Sequence, residues 1–459
     1  MKRTLIFIFL CCTLSCTKKL DLKPDSTIVL PETISDLEQI LDNDQMDITQ
    51  ALPQISADEY FIPGKQDLES TYLLTTRNAP IWATDVYQGE TQIADWNLPY
   101  KNIFYCNSVL DILQKQDISV DAERKRVKGW ALFNRAYAFY NLLSTFSKPY
   151  DSSTASTDPG IPLRLSAAVD ELASRSSVQQ CYEQIQKDLI EAAGLLQQNI
   201  ISEKRNRPSQ VAAYALLARI YLSMRRYEQA EHYADKTLQI YAILTDFNTL
   251  NKTTPNGFSH NSEEIIYHSR LDGTYFEFST SEQSTSYGVN PEIIALYDPS
   301  DLRLPLYFQK NSLGNYNMKP INNTNSAPFT GLATDEIYLI KAECLARRGQ
   351  TRDAMAVLNQ LLSTRWDPNA TGTTKPYTNL SALNPETALQ KILLERRKSL
   401  IWRSLRWTDL KRLNLEGANI QLLRKIGDQT YTLMPNSPKY VLPIPEDEIS
   451  LGGLVQNPR

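Results

Sequence analysis

Side chains suited to holding a sugar are the first chemistry that this 459-residue sequence offers. A pyranose ring has apolar C–H faces and a rim of hydroxyls, so a flat aromatic platform flanked by Asp, Asn, Gln or Arg matches both. Trp82, Asp85 and Tyr87 fall in NAPIWATDVYQGETQIADW outside any helical period, and Trp96 stands at its end, where a helix begins. Tyr275, Phe276 and Phe278 follow in RLDGTYFEFSTSEQSTSY, with Tyr287 closing that stretch. These eight residues are the candidate ligand contacts. For each ring the competing role is packing beneath a long loop. Trp130, Trp402 and Trp407 instead lie on helical stripes and are expected in the core.

Covalent and metal chemistry find little footing. The chain carries no Gly-x-Ser-x-Gly elbow, no His-Glu-x-x-His, no Gly-Lys-Ser/Thr phosphate loop and no Gly-x-Gly-x-x-Gly. Its three histidines are His232, in the second helix of a repeat, and His260 and His268, which flank an apparent strand. A triad or zinc site would need them to converge. No catalytic residue, metal or cofactor is expected, although a carboxylate pair for glycoside hydrolysis is invisible in one dimension and stays open. The charged run Glu-Arg-Arg-Lys at 395–398, with Arg403, Arg406, Lys411 and Arg412, interleaves with Leu394, Leu400, Ile401, Leu405 and Leu410. It reads as an amphipathic helix whose arginines pair with neighbours such as Glu395 and Asp409 at the surface or an interface.

Cys16 has a different chemistry. Met1-Lys2-Arg3 is a positive n-region, and Thr4 to Leu14 is an apolar run too short to span a bilayer, so residues 1–15 read as an export signal. Small Ser15 before Cys16 is the bacterial pattern for attaching a diacylglycerol to the thiol before cleavage, which makes Cys16 the lipidated first residue of the mature chain. Acyl chains at about 0.8 kcal/mol per buried methylene anchor a protein with no membrane-spanning helix. Removing Lys2 and Arg3 from 48 basic residues leaves 46 against 52 acidic ones, a balance of about −6 that argues against nucleic acid as the main partner. The remaining Cys106, Cys181 and Cys344 lie far apart in apolar helical stretches, as buried small hydrophobes do.

A frame must position the candidate rings, and the spacing predicts a helical one. In RPSQVAAYALLARIYLSMRRYEQAEHYADKTLQ, Tyr214 is followed at offsets of 3, 4, 7, 16, 20 and 23 by Leu217, Ala218, Tyr221, Ala230, Ala234 and Thr237. That is the tetratricopeptide pattern, in which small residues let two antiparallel helices approach closely. The same ruler laid from Tyr338 meets Lys341, Ala342, Leu345, Ala354, Leu358 and Leu361. A partial match runs from Trp130 through Phe133, Asn134 and Tyr137, its partner helix delayed to 177–196. Further helices are predicted over 31–43 and 96–113, and one long charged helix over ALQKILLERRKSLIWRSLRWTDLKRL. Residues 16–30 read as a tether. From 241 to 334 the helical period vanishes, as in an insertion that presents binding residues. YTLMPNSPKYVLPIPEDEI reads as a hairpin around Asn-Ser-Pro.

The order of these pieces resembles the SusD/RagB family of Bacteroidetes lipoproteins. The resemblance is carried by Cys16 with KKLDLKPD, WNLPYKNIFYCNSVLD, RAYAFYNLLSTFSKPY with GIPLRL, SRSSVQQCYEQIQKDLIEAAGLL, RPSQVAAYALLARIYLSM, ALYDPSDLRLPLYF, LLERRKSLIWRSLRWTDLKRL, and VLPIPEDEI with VQNP. It implies a mainly α fold: a SusD-like superhelix of four tetratricopeptide-like units with long irregular loops and a few short β-hairpins. It implies one domain over 31–459, with an N-terminal part to about 240 and a C-terminal part from 241. It also implies a non-enzymatic, lipid-anchored outer-membrane protein facing the exterior, with Thr17-Lys18-Lys19 where surface-displayed members often have acidic residues. The implied role is to bind a nutrient, an oligosaccharide or a peptide, and pass it to a SusC-like TonB-dependent transporter. A periplasmic repeat scaffold and a secreted glycoside hydrolase are the competing functions.

Overall fold

The computed structural model describes residues 31, 33–118, 120–254, 262–275, 278, 284–319, 327–371 and 375–459. Cys16, the signal and the tether therefore lie outside the described residues. Among the described residues the ten helices of eight residues or more make the frame: α1 Ile34–Leu41, α2 Ala94–Gln114, α3 Ala122–Phe146, α4 Val178–Leu195, α5 Gln210–Ser223, α6 Tyr227–Ile240, α7 Thr334–Arg347, α8 Thr351–Ser363, α9 Pro385–Ser399 and α10 Arg406–Leu415. From α2 to α8 each packs on the next, and α9 lies against α7. The mainly α architecture of helix hairpins is thus the one that the spacing predicts.

Local chemistry starts these helices where they start. Ser209, after Pro208, caps α5 by accepting the Ala212 N–H at 3.2 Å, and Ser177 and Gln180 form a reciprocal capping box on α4. The small positions of the repeats then do what the pattern requires. Ala230, Ala234 and Thr237 of α6 and Ala354, Leu358 and Leu361 of α8 are fully buried against their partners, each buried leucine contributing about 1.5–3 kcal/mol. Enlarging Ala234 would overpack the hairpin at a cost of about 1–3 kcal/mol. The two hairpin turns are equivalent, since Arg225 and Gly349 stand eleven residues after Tyr214 and Tyr338 and both adopt a left-handed backbone, φ 60° and 86°. Trp130, Trp402 and Trp407 are buried, and Cys106, Cys181 and Cys344 are buried and unpaired.

Although 241–333 separates them in sequence, α6 and α7 pack directly, with Lys341 Nζ 2.6 Å from Asp235 Oδ1. The insertion therefore leaves and rejoins the frame at one seam. There Leu332–Ala333 pairs antiparallel with Ile265–Tyr267, and a Cβ on Gly331 would collide with the Tyr267 carbonyl oxygen. Sheet among the described residues is confined to separate two-stranded pairs.

Three expectations need correction. The long charged helix is two helices, α9 and α10, broken at Trp402 and Ser404, whose φ values are 61° and 56°. Their freed N–H groups donate to Glu59 Oε2 and Gln54 Oε1, both at 3.1 Å, so bonds from a distant segment replace the helical ones. Asp409 does pair with arginines of the run, Arg396 at 2.9 Å and Arg412 at 2.7 Å, whereas Glu395 pairs with Lys398 and with Arg303 from another segment, and these contacts lie inside the protein rather than at a surface. Glu395, Arg396, Lys398 and Arg412 are buried while Leu394 is 42% exposed, because Asp301, Arg303 and Glu343 arrive from other segments to neutralise them. Finally, the C-terminal hairpin lies upstream of Asn-Ser-Pro, pairing Leu422–Ile426 with Gln429–Leu433 around Gly427 and Asp428. Asn436-Ser437 instead leads into a single 3-10 turn, Pro438–Tyr440.

Candidate functional site

The irregular segments 57–93 and 262–318 meet on the aromatic base that Tyr60 anchors. Strand Tyr60–Phe61 pairs with Gly288–Val289, and the Tyr60 ring lies 5.6 Å from Phe278, 6.2 Å from Tyr287 and 5.9 Å from Trp402. Tyr287 also stacks on Trp402 at 6.1 Å. Such pairs add about 0.5–1.5 kcal/mol each beyond burial, which fixes the loops to the break between α9 and α10. The hairpin Phe308–Lys310 with Tyr316–Met318 joins the same assembly, since Asn317 Nδ2 donates to the Tyr287 carbonyl at 3.1 Å. Leu313, at its tip, is 65% exposed.

Segment 71–93 is held just as tightly. The Glu90 carboxylate accepts the N–H groups of Leu74 and Thr75 at 2.7 and 3.0 Å and the Thr75 hydroxyl at 2.6 Å, capping a short helix over Leu74–Asn78. Arg77 donates twice to the Thr71 carbonyl, at 2.9 and 2.6 Å. Three non-glycine residues here, Trp82, Gln88 and Gln92, have φ of 54°, 46° and 58°. Strain of this kind persists only where surroundings over-determine it and concentrates at functional sites. The result is a fixed turn that leaves Tyr72 86% exposed.

The candidate rings, expected on exposed loops, lie inside the protein. Trp82, Tyr87, Trp96, Tyr275, Phe278 and Tyr287 are all buried, between 0% and 5% exposed. The Trp82 indole N–H donates to the Ser56 carbonyl at 2.9 Å, and its ring shares the Arg424 guanidinium with Tyr60. Tyr87 donates to the Pro443 carbonyl at 2.8 Å, and Trp96 packs edge-on against Phe146. Phe278 and Tyr287 belong to the aromatic base. Asp85 alone is exposed, accepting the Gln88 N–H at 2.8 Å, and Phe276 lies outside the described residues. Two of the rings, Phe278 and Tyr287, are therefore brought together, as the foundation under the loops rather than their outer face. Tyr72, the exposed ring of this region, stands alone in the sequence rather than in a run of aromatics or beside a tryptophan. Its signal is a single ring in LESTYLLTT, with Ser70 and Thr71 before it and Thr75 and Thr76 at the next helical positions.

Beneath the face lie two carboxyls that share a neighbourhood. Burial, then the charge of Asp272, pushes Asp95 well above the usual carboxylate range, and burial raises Asp272. Asp95 Oδ1 accepts the Leu52 N–H at 2.8 Å, while Asp95 Oδ2 and Asp272 Oδ2 have no hydrogen-bond partner among the described residues. At 1% and 7% exposure they lie out of reach of a glycosidic bond. Among the described residues no three His, Cys, Asp or Glu side chains gather as a metal site, and no helix is long and apolar enough to cross a membrane. His232 packs against Tyr233 and His268 lies 3.4 Å from Asp47, on separate elements; His260 lies outside the described residues.

Comparison places this geometry among known folds. Residues 18–222 match a family model described as SusD-like, "Starch-binding associating with outer membrane", and residues 219–459 match the model of the SusD family. A SusD superfamily protein from Bacteroides thetaiotaomicron superposes with a TM-score of 0.75 at 21% identity, covering 93% of this chain and 100% of that one. A SusD superfamily protein from Bacteroides fragilis gives 0.73 at 21% identity, covering 91% and 98%. Surface glycan-binding protein A from Bacteroides uniformis gives 0.66 at 17%, covering 93% and 99%. No curated protein sequence matches the chain.

Proposed function

The chain belongs to the SusD family, and from that premise we propose that it captures a glycan at the outer membrane and hands it to a SusC-like TonB-dependent transporter. The observation that carries the reading is that two models of this family, meeting near residue 220, account for the chain from residue 18 to its end. Support comes from a rigid frame with immobilised loops and an outward ring at Tyr72, which suits binding without chemistry: a preorganised face loses little entropy when a flat sugar settles on it. The anchor is the lipid on Cys16, on the exterior leaflet, and 31–459 acts as one SusD-like domain.

Titration of the purified protein with a panel of defined oligosaccharides and short peptides tests the reading. Saturable binding of a glycan, recovered unaltered after long incubation, is expected. Binding of peptides alone would replace the glycan with a peptide cargo, and cleavage of the glycan would overturn the non-enzymatic reading. Affinity purification from the native membrane should recover a TonB-dependent transporter, and a palmitate analogue should label the chain through Cys16 but not after Cys16→Ala.

A further inference from the structure

Apart from the loop face, a cleft of about 410 Å³ opens where the C-terminal end of α3, helix α10, the 3-10 turn Pro438–Tyr440 and the last residues of the chain converge. Its volume falls within the range of small-molecule sites. Four prolines, Pro149, Pro159, Pro438 and Pro458, line it and make its walls stiff. Asn457 ties those walls together, its Nδ2 donating at 2.8 Å to the carbonyls of both Phe146 and Leu442.

Lys411 and Tyr440 bring donors to the lining of the cleft. Lys411, 5% exposed, donates to the carbonyls of Ser144 and Ser147 at 2.7 and 2.6 Å, thereby closing the end of α3. An ammonium has three protons, and no carboxylate among the described residues lies within ion-pair distance of this one. Burial alone draws Lys411 down to about 7, as expected of a cation with no counter-charge beside it. The Tyr440 hydroxyl, 3% exposed, accepts from Asn414 Nδ2 at 3.4 Å, and its own proton has no acceptor among the described residues. The acids at the wall do not fill the deficit. Asp158 is held by Lys148 at 2.7 Å and Thr154 at 2.6 Å, and Asp151, at the rim, accepts the N–H and hydroxyl of Ser153.

We infer that this cleft binds a small molecule through a carboxylate, the acceptor-only group that answers the spare protons of Lys411 and Tyr440. The inference stands on the cleft alone and does not depend on the glycan reading. A uronic acid and the C-terminal end of a short peptide both carry the group, and the experiment separates them.

The full purified protein is titrated calorimetrically with glucuronate, N-acetylalanine and glucose. Glucuronate, N-acetylalanine or both are expected to bind, and glucose is not; whichever carboxylate binds identifies the source. Ser437→Trp, which fills the mouth from a half-exposed position without touching Lys411, should weaken that binding at least tenfold, and Lys411→Met should do the same where it folds. Absence of binding by either carboxylate up to about 10 mM, equal binding of glucose, or undiminished binding to Ser437→Trp would each overturn the inference. A glycan site on the loop face is assayed separately through Tyr72, so failure of one site leaves the other standing.

Discussion

Arg412 of α10 grips Glu343 of α7 through two parallel bonds, Nη1 to Oε1 at 2.6 Å and Nη2 to Oε2 at 2.9 Å, with both side chains essentially inaccessible to water. Burial works to raise the Glu343 carboxyl, but the Arg412 charge outweighs it and holds the group below its ordinary range. A fork-to-fork pair in so dry a place ties α10 to the repeat frame. Glu343→Gln leaves Arg412 only its share of Asp409, which also holds Arg396, so the urea midpoint should fall by the equivalent of about 3 kcal/mol. Replacing both partners, Glu343→Leu with Arg412→Met, should cost less than the single change, since Arg347 and Asp409 retain Glu416 and Arg396.

That pair also shows where sequence reasoning stops. The hairpins of α5 with α6 and α7 with α8 are legible because their determinants are local: small residues at fixed spacing and caps at Ser209. The burial of Arg412 is not, since the counter-charge on Glu343 comes from another helix and a charge run on paper looks solvated. Trp82 failed in the same way. It lies outside any period, which suggested an exposed ring, yet the Ser56 carbonyl and the Arg424 guanidinium that enclose it come from remote segments. Asp85 was legible as an exposed loop residue because a carboxylate outside any helical period stays in water unless a partner neutralises it.

The repeat turns make a second prediction. Gly349 has φ 86°, a conformation that costs an L-residue about 1–2 kcal/mol, and a Cβ there would meet no heavy atom. Gly349→Ala should therefore lower stability by about 1 kcal/mol through backbone strain alone. Arg225 already carries that strain at the matching turn and recovers part of it by donating to the Tyr150 carbonyl at 3.2 Å. Arg225→Gly should accordingly change the denaturation midpoint less than Gly349→Ala does.

Acidity offers a third test, at the break between α9 and α10. Burial raises Glu59 from 4.5 to about 7, against the pull of the Gln54 and Trp402 donors. Below 4.5 the carboxyl is protonated in folded and unfolded chains alike and costs nothing. Between 4.5 and about 7 the unfolded chain releases the proton while the folded chain keeps it, so stability falls as pH rises, by about 3 kcal/mol in full. Glu59→Gln keeps an acceptor oxygen and should flatten that descent, leaving the variant more stable than wild type at pH 8 and similar at pH 4.5. Asp58 runs the other way: burial opposes its ionisation, yet Arg406 lowers it from 3.8 to about 2, so its contribution is lost only in acid below 3.8. Urea midpoints of both proteins across this range give the comparison, and parallel slopes would refute the assignment to Glu59.

The contrast between Tyr72 and Trp82 decides which ring touches the nutrient. Tyr72 is 86% exposed on a turn fixed by Arg77, so Tyr72→Ala should move the melting temperature little and stability by less than about 0.5 kcal/mol. A sugar face stacked on that ring would lose about 1 kcal/mol, roughly a fivefold rise in Kd for the oligosaccharide that binds the wild type. Trp82 is 2% exposed and carries a buried hydrogen bond, so Trp82→Ala should cost about 3–5 kcal/mol and weaken binding only as far as it unfolds the loop. Measured well below its melting point, the Trp82→Ala protein should bind more nearly like wild type than Tyr72→Ala does. The reverse order would place the ligand against the inner rings, with segment 71–93 opening to admit it.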